Sequence, residues 1–271
     1  MMPRACGALL LAAVFASSCV PFVRKDSSLR VMVFNIHAGK DAAGKDNISD
    51  VAALIRRAGA DVVLLQEVDR GTNRSGKVDQ VQALMNATGF GAVFGKSLDY
   101  DGGHYGIAAL ARRGFLFDAT IDLPVRPVQT RAGGSHEPRA ALVASALTRS
   151  GRLQVLTTHL DASGEETYRL QEAQVVLNVV RARASTETPV VVGGDFNAEP
   201  DSNVVRKLRE GGLRDAWTEC GRGDGLTYPA DQPRKRIDYV FLTGTLRCTA
   251  AEVIDTKISD HRPVLVTLAG K

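Results

Sequence analysis

Apolar and polar positions along this chain switch between two periods. Short runs that are continuously apolar or alternate by two read as strands. They cover Leu29 to Asn35, Val62 to Glu67, Ala92 to Lys96, Gly106 to Arg112, Ala141 to Leu147, Leu153 to His159, Val190 to Gly194, Ile237 to Leu242, Cys248 to Ile254 and Pro263 to Leu268. Helical spacing links Ile48, Val51, Ala52, Ile55 and Ala58, with Asn47 or Ser49 as cap and Gly59 as stop. Further helices are predicted over Val78 to Thr88, Glu165 to Ala184 and Ser202 to Glu210. Several strands follow one another with no helix between them. A singly wound parallel sheet therefore fits poorly, and an α/β (α+β) fold of two packed mixed sheets with helices outside fits better.

Polar clusters punctuate this pattern. Phe34-Asn35, Gln66-Glu67, His159-Leu160-Asp161 and Gly194-Asp195-Phe196-Asn197 each follow an apolar run, and Ser259-Asp260-His261 lies near the C-terminus. Strands of one domain can bring such ends together in an acidic, imidazole-bearing pocket. That points to a metal-assisted hydrolase rather than a binding module.

Each cluster has a chemical and a plainer reading. An ionised Glu67 at a strand end needs a cation or hydrogen bonds. A hard divalent ion meets that need, and so would an ion pair with Arg70. Asp195 and Asn197 stand two apart, so in extended backbone they face the same side and could position an attacking water. The same residues before Pro200 also suit an Asx turn. Asp260 and His261 are neighbours and would face opposite ways on a strand; a turn could bring both to one pocket. Asp238 could orient the His261 ring and fix its tautomer, or pair with a nearby arginine. His159 could donate a hydrogen bond or a proton to a leaving oxygen, or be structural.

Composition narrows the partners. Of 271 residues, 44% are hydrophobic and 24% charged, with a net charge of +4, as in ordinary soluble proteins and without the concentrated basic stripe of a nucleic-acid binder. Arg234-Lys235-Arg236 could touch phosphate or form a solvated loop. At the N-terminus, Arg4 precedes an apolar stretch from Gly7 to Ala16, too short to span a bilayer, and then Ala16, Ser17, Ser18 and Cys19. Residues 1–18 read as a signal peptide of lipoprotein type, with Cys19 as a lipidated mature N-terminus, 19–28 as a tether and 29–271 as one domain. Ordinary cleavage and secretion is the alternative. Either way the chain is expected to be exported, in the cell envelope or secreted. Cys220 and Cys248 could then pair as a disulfide or remain buried thiols.

Taken in order, the clusters resemble the endonuclease/exonuclease/phosphatase superfamily. It includes pancreatic-type deoxyribonucleases, apurinic endonucleases, inositol-polyphosphate 5-phosphatases and neutral sphingomyelinases. The matching pieces are Phe34-Asn35, Leu65-Gln66-Glu67, Tyr105-Gly106, Thr158-His159-Leu160, Gly194-Asp195-Phe196-Asn197, Arg236-Ile237-Asp238-Tyr239 and Ser259-Asp260-His261. The resemblance implies a four-layer sandwich of two mixed β-sheets flanked by helices. It implies Mg²⁺ or Mn²⁺ held by Asn35 and Glu67 with help from Asp260. It also implies a catalytic set of Asp195, Asn197, His261, Asp238 and His159, acting by in-line attack of water on a phosphoester. The segments around Asp99 to Gly106 and Glu137 to Arg139 are similar to those of bacterial hydrolases of this type. They suggest Tyr105, His104 and Arg139 as substrate contacts, with Arg139 pinning phosphate or a nearby carboxylate. The expected substrate is a small-molecule or phospholipid-headgroup phosphoester, with DNA or RNA as the alternative, for a monomer attached to a membrane surface through Cys19.

Overall fold

A computed structural model of the protein describes residues 28–124, 136–149, 151–184 and 188–269. The expected signal peptide, Cys19 and residues 20–27 of the expected tether lie outside the described residues.

Twelve strands among the described residues form two six-stranded mixed sheets. The first contains β1 (Leu29–Asn35), β2 (Val62–Arg70), β3 (Gly91–Tyr100), β4 (Gly103–Ala111), β11 (Cys248–Val253) and β12 (Val264–Leu268), in the order β11-β12-β1-β2-β4-β3. The second contains β5 (Phe115–Asp122), β6 (Ala140–Thr148), β7 (Gly151–His159), β8 (Val190–Asp195), β9 (Arg214–Asp215) and β10 (Asp238–Leu242), in the order β5-β6-β7-β8-β10-β9. One central pair in each sheet is parallel, β1 with β2 and β7 with β8.

Three apolar layers hold the stack together. Val31, Val33, Leu64 and Val266 of the first sheet meet Leu142, Val155, Val191 and Val240 of the second. Helices α1 (Ile48–Ala58) and α2 (Gln80–Thr88) cover the outer face of the first sheet through Val51, Ile55 and Leu84. Helices α3 (Thr167–Arg183) and α4 (Asn203–Glu210) cover the second through Ala173, Val176, Val205 and Leu208. The result is the expected four-layer sandwich. Central strands with apolar residues on both faces are what such a stack demands.

Differences from the predicted elements have local causes. Helix α2 starts at Gln80, because the Asp79 carboxylate caps it by accepting from the Gln82 amide at 3.0 Å. Strand β5 escaped the pattern because it is an edge strand, largely exposed, pairing only with β6 among the described strands. The short helix α5 (Ala216–Cys220) also lacked a readable period. It carries Cys220, which is disulfide-bonded to Cys248 on β11. No described helix is long and apolar enough to cross a membrane.

Candidate active site

Strand register assembles the site. His159 at the end of β7 pairs with Asp195 at the end of β8, which pairs with Asp238 at the start of β10. The three therefore form one row across adjacent strands. In the facing sheet, Asn35 at the end of β1 pairs with Gln66 on β2. Two glycines let these ends converge. A Cβ on Gly194 would sit 2.0 Å from the Thr158 carbonyl oxygen, and one on Gly193 would sit 2.5 Å from Val33 in the opposite sheet. Side chains there would push apart the strands or the sheets that hold the row.

Glu67 is aimed by a bulge. The pairing of β2 with β4 shifts register between Leu65 and Val68, and Glu67 has φ +56, in the left-handed region. Bulges re-aim side chains, and a non-glycine held there marks a site fixed by its surroundings. Arg70 is no partner for Glu67; it binds Asp79 at 2.9 Å. The carboxylate instead accepts from Asn35 Nδ2 at 3.0 Å.

Asn35 is fully buried and serves both sheets. Its Nδ2 also donates to Asp195 Oδ2 at 3.1 Å, while its Oδ1 accepts from the His37 amide at 3.0 Å. In this arrangement Asn35 ties Glu67 to Asp195.

Asp195 and Asn197 both reach the cavity, but not on extended backbone. Asn197 has φ +46, and its amide donates to Asp195 Oδ1 at 2.9 Å, closing an Asx turn. Burial, and after it the charge of Asp238, pushes the Asp195 carboxyl up; His261, the Asn197 amide and Asn35 oppose this. A carboxylate with raised proton affinity is suited to take a proton from water near neutral pH.

His261 Nδ1 lies 2.9 Å from Asp238 Oδ2, the expected pairing. Thr227 Oγ1 donates to the same Asp238 oxygen at 2.5 Å. Burial alone would disfavour the imidazolium, but Asp238, Asp195 and Asp260 together pull the His261 pKa up to about 10. Arg236 satisfies Asp215 instead, at 2.8 Å, which leaves Asp238 to the imidazole. The Tyr228 ring packs on His261 with centroids 4.7 Å apart. No pattern in the sequence flags Tyr228 or Thr227, since their roles come only from proximity.

Glu67, His159, Asp195, Asn197, Tyr228 and His261 line one cavity of about 500 Å³, together with Tyr105, Glu137, Arg139, Ser163, Glu166, Arg169, Glu199, Lys235 and Asp260. His104 does not line it. Adjacent strand residues face opposite ways, and His104 binds the exposed Asp99 at 2.8 Å while Tyr105 faces inward. Arg139 reaches the cavity wall but is engaged by Glu137 and by His159, both at 2.8 Å. Of the basic triplet, Lys235 lines the cavity and Arg236 is buried.

Two oxygen sets could take a hard cation. Glu67 and Asp260 face the cavity, and among the described residues no lysine or arginine side chain pairs with either; His37 Nδ1 lies 3.9 Å from Asp260 Oδ1. This donor set fits a divalent ion. Ligand atoms of Asp195, Asp238 and His261 also lie within 4.8 Å of one another and could hold a metal. In this structure His261 is bound through Nδ1 to Asp238, and its Nε2 faces Asp195.

The family model described as Endonuclease/Exonuclease/phosphatase family matches residues 32–261. An endonuclease/exonuclease/phosphatase from Beutenbergia cavernae DSM 12333 superposes with TM-score 0.73 at 25% identity, covering 90% of this chain and 72% of that one. A mannosyl-6-phosphatase from Bacteroides thetaiotaomicron VPI-5482 gives TM-score 0.73 at 17% identity, covering 89% and 99%. The human Nocturnin catalytic domain with bound sulfate gives 0.70 at 21%, covering 90% and 94%. No curated protein matches by sequence.

Proposed function

This chain belongs to the endonuclease/exonuclease/phosphatase family, whose members are divalent-metal-dependent phosphoester hydrolases, and we propose that its substrate is a small or lipid-borne phosphoester. One observation carries the choice of substrate. His159 and Asp195 of the row open into a cavity of about 500 Å³ whose wall mixes Glu137, Glu166 and Glu199 with Arg139, Arg169 and Lys235. A duplex nucleic acid is gripped through a continuous basic surface. A wall of mixed charge instead suits a single phosphoryl group carrying a hydroxyl-rich or zwitterionic remainder. Among proteins of this fold is a mannosyl-6-phosphatase.

In this reading Asp195 removes a proton from the attacking water, and the Asx turn holds Asn197 beside it. His261, kept protonated by Asp238, stabilises charge on the phosphoryl oxygens. His159 contacts the phosphoryl group from the other side of Asp195. Glu67 and Asp260 would hold Mg²⁺ or Mn²⁺, with Asn35 fixing Glu67; the ion supplies Lewis-acid polarisation of a phosphoryl oxygen. The Cys220–Cys248 bond supports export, since such bonds persist in oxidising compartments.

The test is a panel of sugar phosphates, glycerophosphodiesters, sphingomyelin vesicles, plasmid DNA and RNA, with Mg²⁺ or Mn²⁺. Hydrolysis of soluble or vesicle-borne small phosphoesters, lost with EDTA and in Asp195→Ala and His261→Ala, is expected. Turnover confined to DNA or RNA would overturn the substrate assignment. No turnover at all would overturn the function.

A further inference from the structure

The two imidazoles that flank Asp195 are held from behind by groups of opposite charge. His261 presents Nδ1 to the Asp238 carboxylate, and His159 presents Nδ1 to Arg139 Nη1 at 2.8 Å. Both rings then direct Nε2 toward the same oxygen, Asp195 Oδ2, at 3.6 and 3.5 Å.

A guanidinium has donors only and keeps its charge at every accessible pH. His159 Nδ1 must therefore accept and carry no proton, which leaves the hydrogen of the neutral ring on Nε2. Asn197 Nδ2 lies 3.1 Å from Nε2 and donates to the Leu160 carbonyl at 3.0 Å; with Nδ1 accepting from Arg139, the neutral ring keeps its hydrogen on Nε2 and cannot also accept from this amide. Arg139 is rigidly placed: it is 3% exposed, and Glu137 binds the same Nη1 at 2.8 Å. Burial first, then the charges of Arg139 and His261, holds His159 well below the ordinary imidazole range, in agreement with the hydrogen bonds.

We propose that Arg139 is a positioning residue that fixes His159 as the neutral Nε2–H tautomer, so that His159 acts as a hydrogen-bond donor. The guanidinium takes the place behind His159 that a carboxylate takes behind His261, and gives two similar rings different roles. A neutral His159 has no spare proton for a leaving oxygen. That the recipient of its hydrogen bond is a phosphoryl oxygen rests on the function proposed above; the tautomer does not.

The deciding measurement is the ¹⁵N histidine spectrum of the folded protein, with His159 assigned by its absence in His159→Gln. The proposal expects a bare Nδ1 and a protonated Nε2, unchanged from about pH 5 to about pH 8. An Nδ1–H tautomer or an imidazolium in that interval overturns it. In kinetics, Arg139→Met is expected to lower kcat roughly 10- to 100-fold with KM little changed, and Arg139→Lys to recover part of the loss. In the His159→Gln background the same change should cost almost nothing, because its only route of action is gone. A penalty that persists in that background, or that falls on KM, means that Arg139 acts on substrate directly and overturns the proposal. If Arg139→Met does not fold, the spectrum of the unaltered protein still decides. A phosphoester panel without turnover would strike the proposed function and leave the tautomer measurement standing.

Discussion

Replacing Glu172 with glutamine should make the protein more stable, and by an amount that grows with pH. Glu172 lies on α3 with no exposed surface. Its Oε2 accepts from the Asp161 amide at 2.8 Å, while Oε1 has no hydrogen-bond partner among the described residues. Burial, opposed by that amide and by Arg139 and Arg169, raises its pKa from 4.5 to about 7. The folded protein thus holds this proton more tightly than the unfolded chain. Between about 4.5 and about 7 stability falls as pH rises; below that window the cost is absent, and above it the cost is complete. At about 1.36 kcal/mol per pH unit the full cost is about 3 kcal/mol. Urea unfolding of both proteins from about pH 5 to about pH 8 should show the difference widening by about 2.5 kcal/mol in favour of Glu172→Gln. Any mismatch of the new amide adds an offset that does not depend on pH. A difference that stays constant across that range would refute the reasoning. The change also reports on the cavity wall, because Asp161 accepts from the Ser163 amide at 2.9 Å and Ser163 lines the cavity.

Asp238→Asn should lower kcat by roughly 10²- to 10⁴-fold with little change in circular dichroism, since an amide cannot hold the His261 imidazolium that now sits 2.9 Å from Asp238; a loss below tenfold would contradict the role. Gly194→Ala should destabilise by at least about 1 to 3 kcal/mol in urea, because the new methyl meets backbone 2.0 Å away on β7. An unchanged midpoint would mean that the β7–β8 contact is looser than described. The double change Cys220→Ser with Cys248→Ser should cost about 3 to 4 kcal/mol, as the bond closes a loop with a sequence separation of 28; calorimetry under non-reducing conditions measures it.

Much of the architecture lies in local pattern. β-Branched and aliphatic runs such as Val31 to Phe34 and Val190 to Val192 are strands wherever a sheet can bury them, and a glycine stop after Ala58 ends α1 as read. The types of residue at the strand ends also stand in the sequence, including the imidazoles and carboxylates that the chemistry needs. Apart from Asp238 behind His261, their partners do not. That His159, Asp195 and Asp238 form a row depends on the register of three strands far apart in the chain, and register is set by which faces become buried. The bulge that turns Glu67 inward, the outward face of His104 and the meeting of Arg139 with His159 are likewise products of long-range packing. A side chain's chemistry is intrinsic to its residue. Its charge state and direction are properties of what the fold places beside it.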